Sequence, residues 1–332
     1  MSCSRPSVHG TCEAAVNAGH RFFSPALPPM FRLPSAVRTV RYATLPLLAA
    51  LCAMVPVDTT LAQTASQRPA APLKVFISVD MEGLAGVVTS GDVGGTSGDY
   101  QYFRKLAAEE ANAAIAGALR AGATEVVVRD SHGAKQNILP TDLDRRARLL
   151  RGVSTGPRNM MEGIDSSFAA VVFIGYHASA GTPNAILAHT SNGNVVDFSV
   201  NGVSLPEGGY NALVAGLYNV PVVFVSGDRA AVNQLRGLLG TVDGVAVKQE
   251  IGTAILGMSP AEAQDAIRLG VERAVRARAQ YRPYRLAPPY NMVLKVKRDG
   301  KTFDGAVSAG AGEYRYSSAD LLKVLEAFNA LK

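Results

Sequence analysis

Leu73-Lys-Val-Phe-Ile-Ser-Val-Asp-Met-Glu-Gly83 runs from a continuous apolar segment directly into two carboxylates and a glycine. Apolar runs of this length are typical of central strands that are buried on both faces of a sheet. Arg104 to Ala121 is rich in alanine and has the length of a helix, and Glu125-Val-Val-Val-Arg129 has the pattern of a second strand. Together these segments predict a strand–helix–strand unit.

Two later apolar runs, Ala169-Ala-Val-Val-Phe-Ile174 and Pro221-Val-Val-Phe-Val225, repeat the strand pattern. Such runs, separated by helices, predict an α/β fold with a mixed, mainly parallel central sheet and helices on both of its faces. Between the two runs, Ile186 to Leu187 and Val195 to Val200 are predicted as hairpin strands, the second of them beside the turn residues Asn201-Gly202.

The last quarter of the chain predicts a smaller α+β portion. Ser259-Pro-Ala-Glu262 has the arrangement of a capping box with proline at the first helical position, so a helix is expected to continue to about Arg278. Asn291 to Val296 and Thr302 to Val307 are predicted as a terminal pair of strands, and Ser318 to Leu331 as a closing helix.

The composition supports one large domain. The chain has 332 residues, of which 48% are hydrophobic and 18% charged, so it can bury a sizeable core. We predict a main domain over residues 73–332, with residues from about 283 to 332 as a candidate subdomain. Residues 63–72, which are rich in Ala, Ser, Gln and Pro, are predicted to be a flexible linker before it.

The first 62 residues have the order of a secretory signal. Arg38 and Arg41 precede the apolar stretch Leu45 to Val57, and the small-residue sequence Thr60-Leu-Ala62 follows it. The apolar stretch is about 13 residues long, which is too short to cross a bilayer as a helix. We therefore expect a cleaved signal and an exported protein, periplasmic or secreted, with no stable membrane insertion after cleavage.

Met30 lies just upstream of the basic residues and would give a signal of ordinary length over residues 30–62. We therefore hypothesise that residues 1–29 precede the true start of translation. Mass spectrometry of the mature N-terminus tests this hypothesis.

The positions of the cysteines and of the charged residues limit which metal ligands and which partners the chain beyond residue 62 can have. All three cysteines lie within the first 62 residues, so the mature chain is expected to have no disulfides and to bind metals only through nitrogen and oxygen. Five arginines against two acidic residues in the same segment contribute +3 of the formal charge of +6. The net positive charge that remains beyond residue 62 is too small and too scattered along the chain to predict a nucleic-acid partner.

Metal-binding side chains follow three of the predicted strands. Asp80 and Glu82 follow the first strand, while His132 and His177 follow the next two. Ligand sites in open α/β sheets gather beyond the carboxyl ends of the strands, so we expect these four side chains to converge on one edge. Only three of the five histidines in the chain lie beyond residue 62. The position of two of them just after predicted strands is therefore more informative.

The Asp-x-Glu spacing has a physical reason. Alternate residues of an extended segment point to the same side, so Asp80 and Glu82 can face one metal cluster while Met81 turns into the core. Gly83 and Gly86 then allow the backbone to pass close to that cluster. Imidazole nitrogen and carboxylate oxygen form a ligand set that suits zinc, and a carboxylate can bridge two ions.

Four segments resemble the successive motifs of the DppA-like zinc-dependent D-aminopeptidases. They are Ser78-Val-Asp-Met-Glu-Gly83, Asp130-Ser-His132, Gly175-Tyr-His-Ala178 and Pro206-Glu-Gly-Gly-Tyr-Asn211. The motifs occur in the order and spacing of that family. The resemblance extends from about Lys74 to Gln249, and more loosely to the helix that begins at Ser259.

The resemblance implies a site with two zinc ions in each subunit. Asp80 would bridge both ions, Glu82 would bind one of them, and His132, His177 and Glu207 would complete the ligand set. The resemblance also implies a homo-oligomer, a ring of ten subunits whose active sites face an enclosed chamber.

The family's catalytic histidine corresponds to His189, in Leu187-Ala-His-Thr190. The implied reaction is hydrolysis of an N-terminal D-amino acid from a short peptide, with a metal-activated water and His189 as general acid and base. This sequence departs from the family at Pro206 and Gly208, where glycine and an apolar residue are common. Glu207 could therefore serve instead as a carboxylate at a helix start.

Other interpretations stay open. Asp130 and Asp99 are both candidates for holding the free amine of the substrate. A metal-dependent phosphoesterase also uses paired ions, although only Arg129, Lys135 and Arg229 are close to the strand ends to bind phosphate. A periplasmic protein that binds a peptide or a metal without catalysis is the third possibility, against which the presence of His189 argues.

Overall fold

The computed structural model describes residues 72–332. The predicted signal region and all but the last residue of the predicted linker lie outside the described residues. Within them, no helix combines the length and the apolar character that crossing a membrane requires.

Strands and helices alternate along most of the described chain. The strands are β1 (Lys74–Val79), β2 (Glu125–Asp130), β3 (Arg148–Leu150), β4 (Ala170–Tyr176), β5 (Val195–Val200), β6 (Val203–Ser204), β7 (Val222–Asp228), β8 (Asp243–Ile251), β9 (Ala254–Gly257), β10 (Tyr290–Val296), β11 (Val307–Gly310) and β12 (Glu313–Ser318). The α-helices are α1 (Ser90–Val93), α2 (Tyr100–Arg120), α3 (Glu207–Leu217), α4 (Arg229–Leu239), α5 (Pro260–Arg276) and α6 (Leu321–Leu331). Two short 3₁₀ turns cover Asn159–Met161 and Arg278–Gln280.

Two sheets organise these elements. The larger has seven strands in the order β3-β2-β1-β4-β7-β8-β9 and is parallel except for the β8–β9 hairpin. The smaller has the order β11-β12-β10-β5-β6 and is antiparallel throughout. This is the predicted α/β architecture with a smaller α+β portion. Because β5 and β6 belong to the smaller sheet, the residues after 283 do not form that sheet alone.

Two hydrophobic cores lie on opposite faces of the large sheet. Along β1, Val75, Ile77 and Val79 pack against α2 and α5, whereas Phe76 belongs to the core on the other face, with α3, α6 and the small sheet. In that second core Phe328 of α6 stacks on Phe198 of β5, with ring centroids 4.1 Å apart. Each such buried side chain contributes about 1.5–3 kcal/mol, more than helix propensity supplies per residue, so burial determines which face each element presents.

Most of the predicted elements are present, and two are wrong. Ile186 and Leu187 lie in a turn, with Leu187 at φ 55°, and form no strand. In the predicted strand Thr302 to Val307 only Val307 is in a strand, because the chain turns at Asp304 and Gly305. β10 instead pairs antiparallel with β12 on one side, in a register that joins Met292 and Tyr316, and with β5 on the other.

Gly117 of α2 lies where α2 approaches α5, and a Cβ there would overlap the carbonyl oxygen of Arg268. We expect Gly117→Ala to destabilise the fold by about 1–3 kcal/mol, the usual cost of overpacking, which outweighs the gain in helix propensity of about 1 kcal/mol. Gly237→Ala in α4 is the matched control, because a Cβ there meets no atom within 4 Å. The control should stabilise by about 0.5–1 kcal/mol. Urea unfolding measures both free energies, and equal stability of the two variants would contradict the close helix packing.

Candidate metal centre

The parallel pairing of three adjacent strands brings the candidate ligands to one edge. β1 lies between β2 and β4, with Val79 in register with both Asp130 and Ile174. Asp80 directly follows β1, His132 lies two residues beyond β2, and His177 directly follows β4. The predicted convergence of side chains beyond the carboxyl ends of the strands is therefore present in the structure.

The loop after β1 is held against the end of β4. The amide of Asp80 donates to the carbonyl oxygen of Ile174, and the amide of Gly83 donates to that of Gly175, both at 2.8 Å. A Cβ at Gly83 would overlap the carbonyl oxygen of Tyr176. Gly83 therefore permits the close approach that places Asp80 next to the start of the loop carrying His177. Met81 turns into the core against α2, as the Asp-x-Glu spacing predicts.

Two buried charged residues fix the rest of this loop. The Lys248 ammonium donates to the carbonyl oxygens of Glu82 and Val87, at 2.5 and 2.6 Å. The Glu110 carboxylate of α2 accepts from the amide of Ala85 at 2.9 Å. Burial raises the pKa of Glu110 to about 7 and lowers the pKa of Lys248 to about 8. Neither residue is predicted by the sequence motifs, because nothing in the sequence shows which loop their side chains reach.

The first group of candidate ligands is Asp80, Glu82 and His132. The Nε2 of His132 lies 3.0 Å from Oε1 of Glu82. One ligand atom from each of the three residues falls within 4.8 Å of the others.

The second group is Asp80, His177 and Glu207. The Nε2 of His177 lies 3.6 Å from Oδ2 of Asp80 and 3.4 Å from Oε1 of Glu207. Glu207 is the first residue of α3, and its Oε1 accepts from the amide of Ser191 at 2.6 Å. Glu207 is thus both a helix-start carboxylate and a member of the cluster, so its two predicted roles are compatible. Asp80 belongs to both groups, as a bridging carboxylate would.

His189 lies beside the second group. Its ring stacks on that of His177, with centroids 4.0 Å apart and an interplanar angle of 11°. Its Nδ1 lies 2.8 Å from the carbonyl oxygen of Leu187, so its Nε2 faces the carboxylates, at 3.5 Å from Glu207 and 3.9 Å from Glu82. Together with Glu82 and His177, His189 forms a third group of atoms within metal-ligand spacing.

The donor atoms of the cluster fit a cation. Four buried side-chain atoms make no hydrogen bond within the described residues: Oδ2 of Asp80, Oε2 of Glu82, Nδ1 of His132 and Nε2 of His177. A buried polar atom without a partner costs about 1–3 kcal/mol, so four of them in one place indicate a missing partner. Their nitrogen and oxygen chemistry suits zinc, so the residues present fit the metal.

A cavity of about 290 Å³ opens onto the cluster. Its lining includes four of the five candidate ligands and His189, and also residues that sequence analysis did not place there, Ser191, Tyr210 and Lys332. Neither Asp130 nor Asp99 lines it. The carboxylate of Asp130 is buried and accepts from Asn137 and Ile138, so the prediction that one of these aspartates holds the substrate amine finds no support.

The chain matches one family of peptidases. Residues 73–330 match the profile of the M55 peptidases, which are described as D-aminopeptidases. The chain belongs to this family of D-aminopeptidases. It is therefore a peptide hydrolase of the metallo-aminopeptidase class, as the four sequence motifs predict.

Relatives of this D-aminopeptidase support the same assignment. A D-aminopeptidase of Bacillus subtilis (strain 168) is 37% identical over 226 residues, which cover 68% of this chain and 81% of the relative. A solved structure, the zinc-dependent D-aminopeptidase DppA from Bacillus subtilis, described as a self-compartmentalizing protease, is similar with a TM-score of 0.73 and 30% identity. That likeness covers 77% of this chain and 96% of the other.

Family membership favours the peptidase over the phosphoesterase and the non-catalytic binding protein. The cavity agrees with this preference. Of the three basic residues near the strand ends, Lys135 lines the cavity, whereas Arg129 and Arg229 do not.

Opposite charges in this D-aminopeptidase shift one another's pKa values. Burial would lower the pKa of His132, but Glu82 raises it to about 9. Burial would raise the pKa of Glu207, but His177 lowers it to about 2. The pKa of Asp80 is raised well above its usual value by burial and then by the neighbouring carboxylates. In the metal-free state the imidazoles of His132 and His177 therefore hold protons that a metal must displace.

We expect zinc affinity to rise with pH between about 6 and 9. Below a pKa of about 9 the metal-free His132 is protonated, so binding releases its proton, whereas Glu207 with a pKa of about 2 is already ionised throughout this range. Each released proton should increase affinity about tenfold per pH unit, and the part of the rise that comes from His132 should level off near pH 9. Chelator competition at a series of pH values measures the slope. An affinity that does not change over this range would contradict the protonated imidazole.

Proposed function

We propose that this chain is an exported enzyme that removes N-terminal D-amino acids from short peptides, using two zinc ions per subunit. Asp80, Glu82, His132, His177 and Glu207 would hold the ions. The observation that carries the proposal is the position of Asp80, which is shared by two groups of metal-competent atoms and has a buried oxygen without a hydrogen-bond partner. A carboxylate placed in this way is suited to bridge two cations.

Exposure distinguishes the two stacked histidines, His177 and His189. The side chain of His177 is 1% exposed and packed among carboxylates, whereas that of His189 is 27% exposed and lines the cavity. We therefore assign His177 to the metal and His189 to the substrate. When bound, the ions would supply acidification of a water molecule and stabilisation of the oxyanion.

His189 is oriented for proton transfer. The carbonyl oxygen of Leu187 accepts from its Nδ1, which leaves Nε2 unprotonated in the neutral ring and directed at the cluster. Nε2 would take a proton from the attacking water and give it to the leaving amine. Leu187 can present its carbonyl in this direction because its backbone adopts φ 55°.

The substrate amine would be held at the cluster itself. Within the described residues, the carboxylates that line the cavity are Asp80, Glu82 and Glu207, which are the same groups that would bind zinc. Holding the amine beside the metals also places the first peptide carbonyl next to them, which is the geometry that an aminopeptidase needs.

The experiment that tests this function is a substrate panel with purified protein and added zinc. D-Ala-p-nitroanilide should be hydrolysed faster than L-Ala-p-nitroanilide, and p-nitrophenyl phosphate should not be hydrolysed. A chelator should abolish the activity and zinc should restore it. Turnover of the phosphate ester, or activity that survives the chelator, would contradict the proposal.

We expect His189→Ala to lose about 10²–10⁴ in kcat, the usual contribution of a general acid–base group, while it keeps two equivalents of zinc. His132→Ala is the matched comparison, because it removes a proposed ligand from the same cavity and should lose bound zinc together with activity. Elemental analysis of both variants reports the metal content. Loss of zinc from the His189 variant would mean that His189 is a ligand.

We also propose that the chain forms a homo-oligomeric ring with its active sites facing a chamber. The similar Bacillus subtilis structure is described as a self-compartmentalizing protease. Ile251 and Leu256, on the β8–β9 hairpin, are 58% and 62% exposed and offer apolar contact surface at the sheet edge. Analytical ultracentrifugation measures the assembly, and a monomer at micromolar concentration would contradict it.

Export rests on the signal-like order of residues 38–62. Wall-derived peptides that contain D-amino acids would then be within reach of the enzyme. Recovery of the protein from the cytoplasm with residues 38–62 intact would refute this part of the proposal.

A further inference from the structure

Two lysine side chains line the cavity together with the candidate metal ligands. Lys135 lies in the loop after β2 and is 8% exposed, and Lys332 directly follows α6. The ammonium of Lys135 donates to the carbonyl oxygen of Ser131. The ammonium of Lys332 donates to Oγ of Ser191 at 2.6 Å and to Oδ1 of Asn329 at 2.8 Å. The cavity is thus lined by two cations as well as by the candidate metal ligands.

Neither cation is matched by a bound carboxylate. Their hydrogen-bond partners within the described residues are neutral oxygens, and an ammonium has three donors, so each lysine keeps at least one donor free. Burial lowers the pKa of Lys332 to about 8; Glu207 opposes this shift, and the charge of Lys135 adds to it. Two like charges that form no salt bridge with any described residue are costly in a partly buried cavity, so an anion close to both lysines would be stabilising.

A single residue, Ser191, links Lys332 to the candidate ligand Glu207: its Oγ accepts from Lys332 and its amide donates to Oε1 of Glu207. Consecutive Cα atoms of a peptide are about 3.8 Å apart. A peptide whose first carbonyl lies at the metal ligands would therefore bring the carboxylate of its second residue to the lysines.

We propose that Lys332 and Lys135 bind the C-terminal carboxylate of the substrate, so that the enzyme selects dipeptides with a free carboxylate. This inference rests on the proposed aminopeptidase function. It gives the two lysines a role in specificity and leaves the chemistry of bond cleavage to the metal ligands and His189.

The kinetic test compares D-Ala-Ala with its C-terminal amide, D-Ala-Ala-NH₂. In the wild type we expect kcat/KM to be about ten- to a hundredfold higher for the free acid, as for a hydrogen bond between charged groups. In Lys332→Met the ratio of the two values should fall to about one, mainly through KM for the acid. Lys332→Arg retains the cation and should restore most of the preference.

The ratio is insensitive to partial unfolding or loss of zinc, because both substrates meet the same enzyme molecules. Lys323→Met is the matched control, since Lys323 lies on α6 with its side chain 56% exposed and paired with Glu326. This control should keep the wild-type ratio. A wild-type ratio near one, or a ratio unchanged in Lys332→Met, would overturn the proposal.

A binding measurement separates this inference from the catalytic proposal. N-acetylalanine has the carboxylate but no free amine, and N-acetylalaninamide lacks the carboxylate as well. Calorimetry on the zinc-loaded wild type should show at least about tenfold tighter binding of N-acetylalanine, and Lys332→Met should lose this difference. If the protein hydrolyses no D-Ala peptide and yet shows this difference, the aminopeptidase proposal fails and the carboxylate site stands. If hydrolysis occurs without the difference, the carboxylate site fails alone.

Discussion

Three buried carboxylates lie with the buried imidazole of His177 and the partly buried imidazole of His132 at one edge of the large sheet, and their electrostatics constrain the surrounding structure. Asp80, Glu82 and Glu207 carry like charges within a few ångströms of one another, which folding alone would disfavour. His132 and His177 balance part of this charge when protonated. A pair of divalent cations would balance it more completely and use the atoms that lack hydrogen-bond partners among residues 72–332, so metal binding would also stabilise this fold.

The loop that carries Asp80 and Glu82 is held rigidly, which keeps the carboxylates of the cluster close together. The loop after β1 is held by backbone hydrogen bonds to β4, by the ammonium of Lys248 and by the carboxylate of Glu110. Gly83 allows the contact with β4 that a side chain would block. Carboxylates that were free to move apart would relieve their repulsion and lose the common position for a metal. The buried Lys248 and Glu110 are therefore part of the site although they touch no candidate ligand atom directly.

The sequence predicted those features that depend on local pattern. Continuous apolar runs gave β1, β2, β4 and β7 because parallel central strands are buried on both faces, and the residues just beyond them had to meet at one edge. Local patterns gave wrong predictions where contacts between distant residues determine the structure. β12 pairs with β10 across a long loop, in place of the predicted strand Thr302 to Val307. Leu187 adopts a left-handed backbone conformation that orients His189, in place of the predicted strand Ile186 to Leu187. Lys332 reaches the cavity from the far end of the chain, and no local signal records that contact.

The charged groups that line the cavity also favour one orientation of a bound peptide. Under the proposed assignments the amine of a short peptide lies at the metal ligands and its carboxylate lies towards Lys332, so the peptide has one favourable orientation. The reversed orientation would place the amine of the peptide beside the ammonium groups of Lys332 and Lys135 and leave their charges without an anion. An internal peptide segment has neither terminal group and gains nothing from this arrangement. The proposed arrangement would therefore favour cleavage at the N-terminal residue of a short peptide over cleavage within a longer chain.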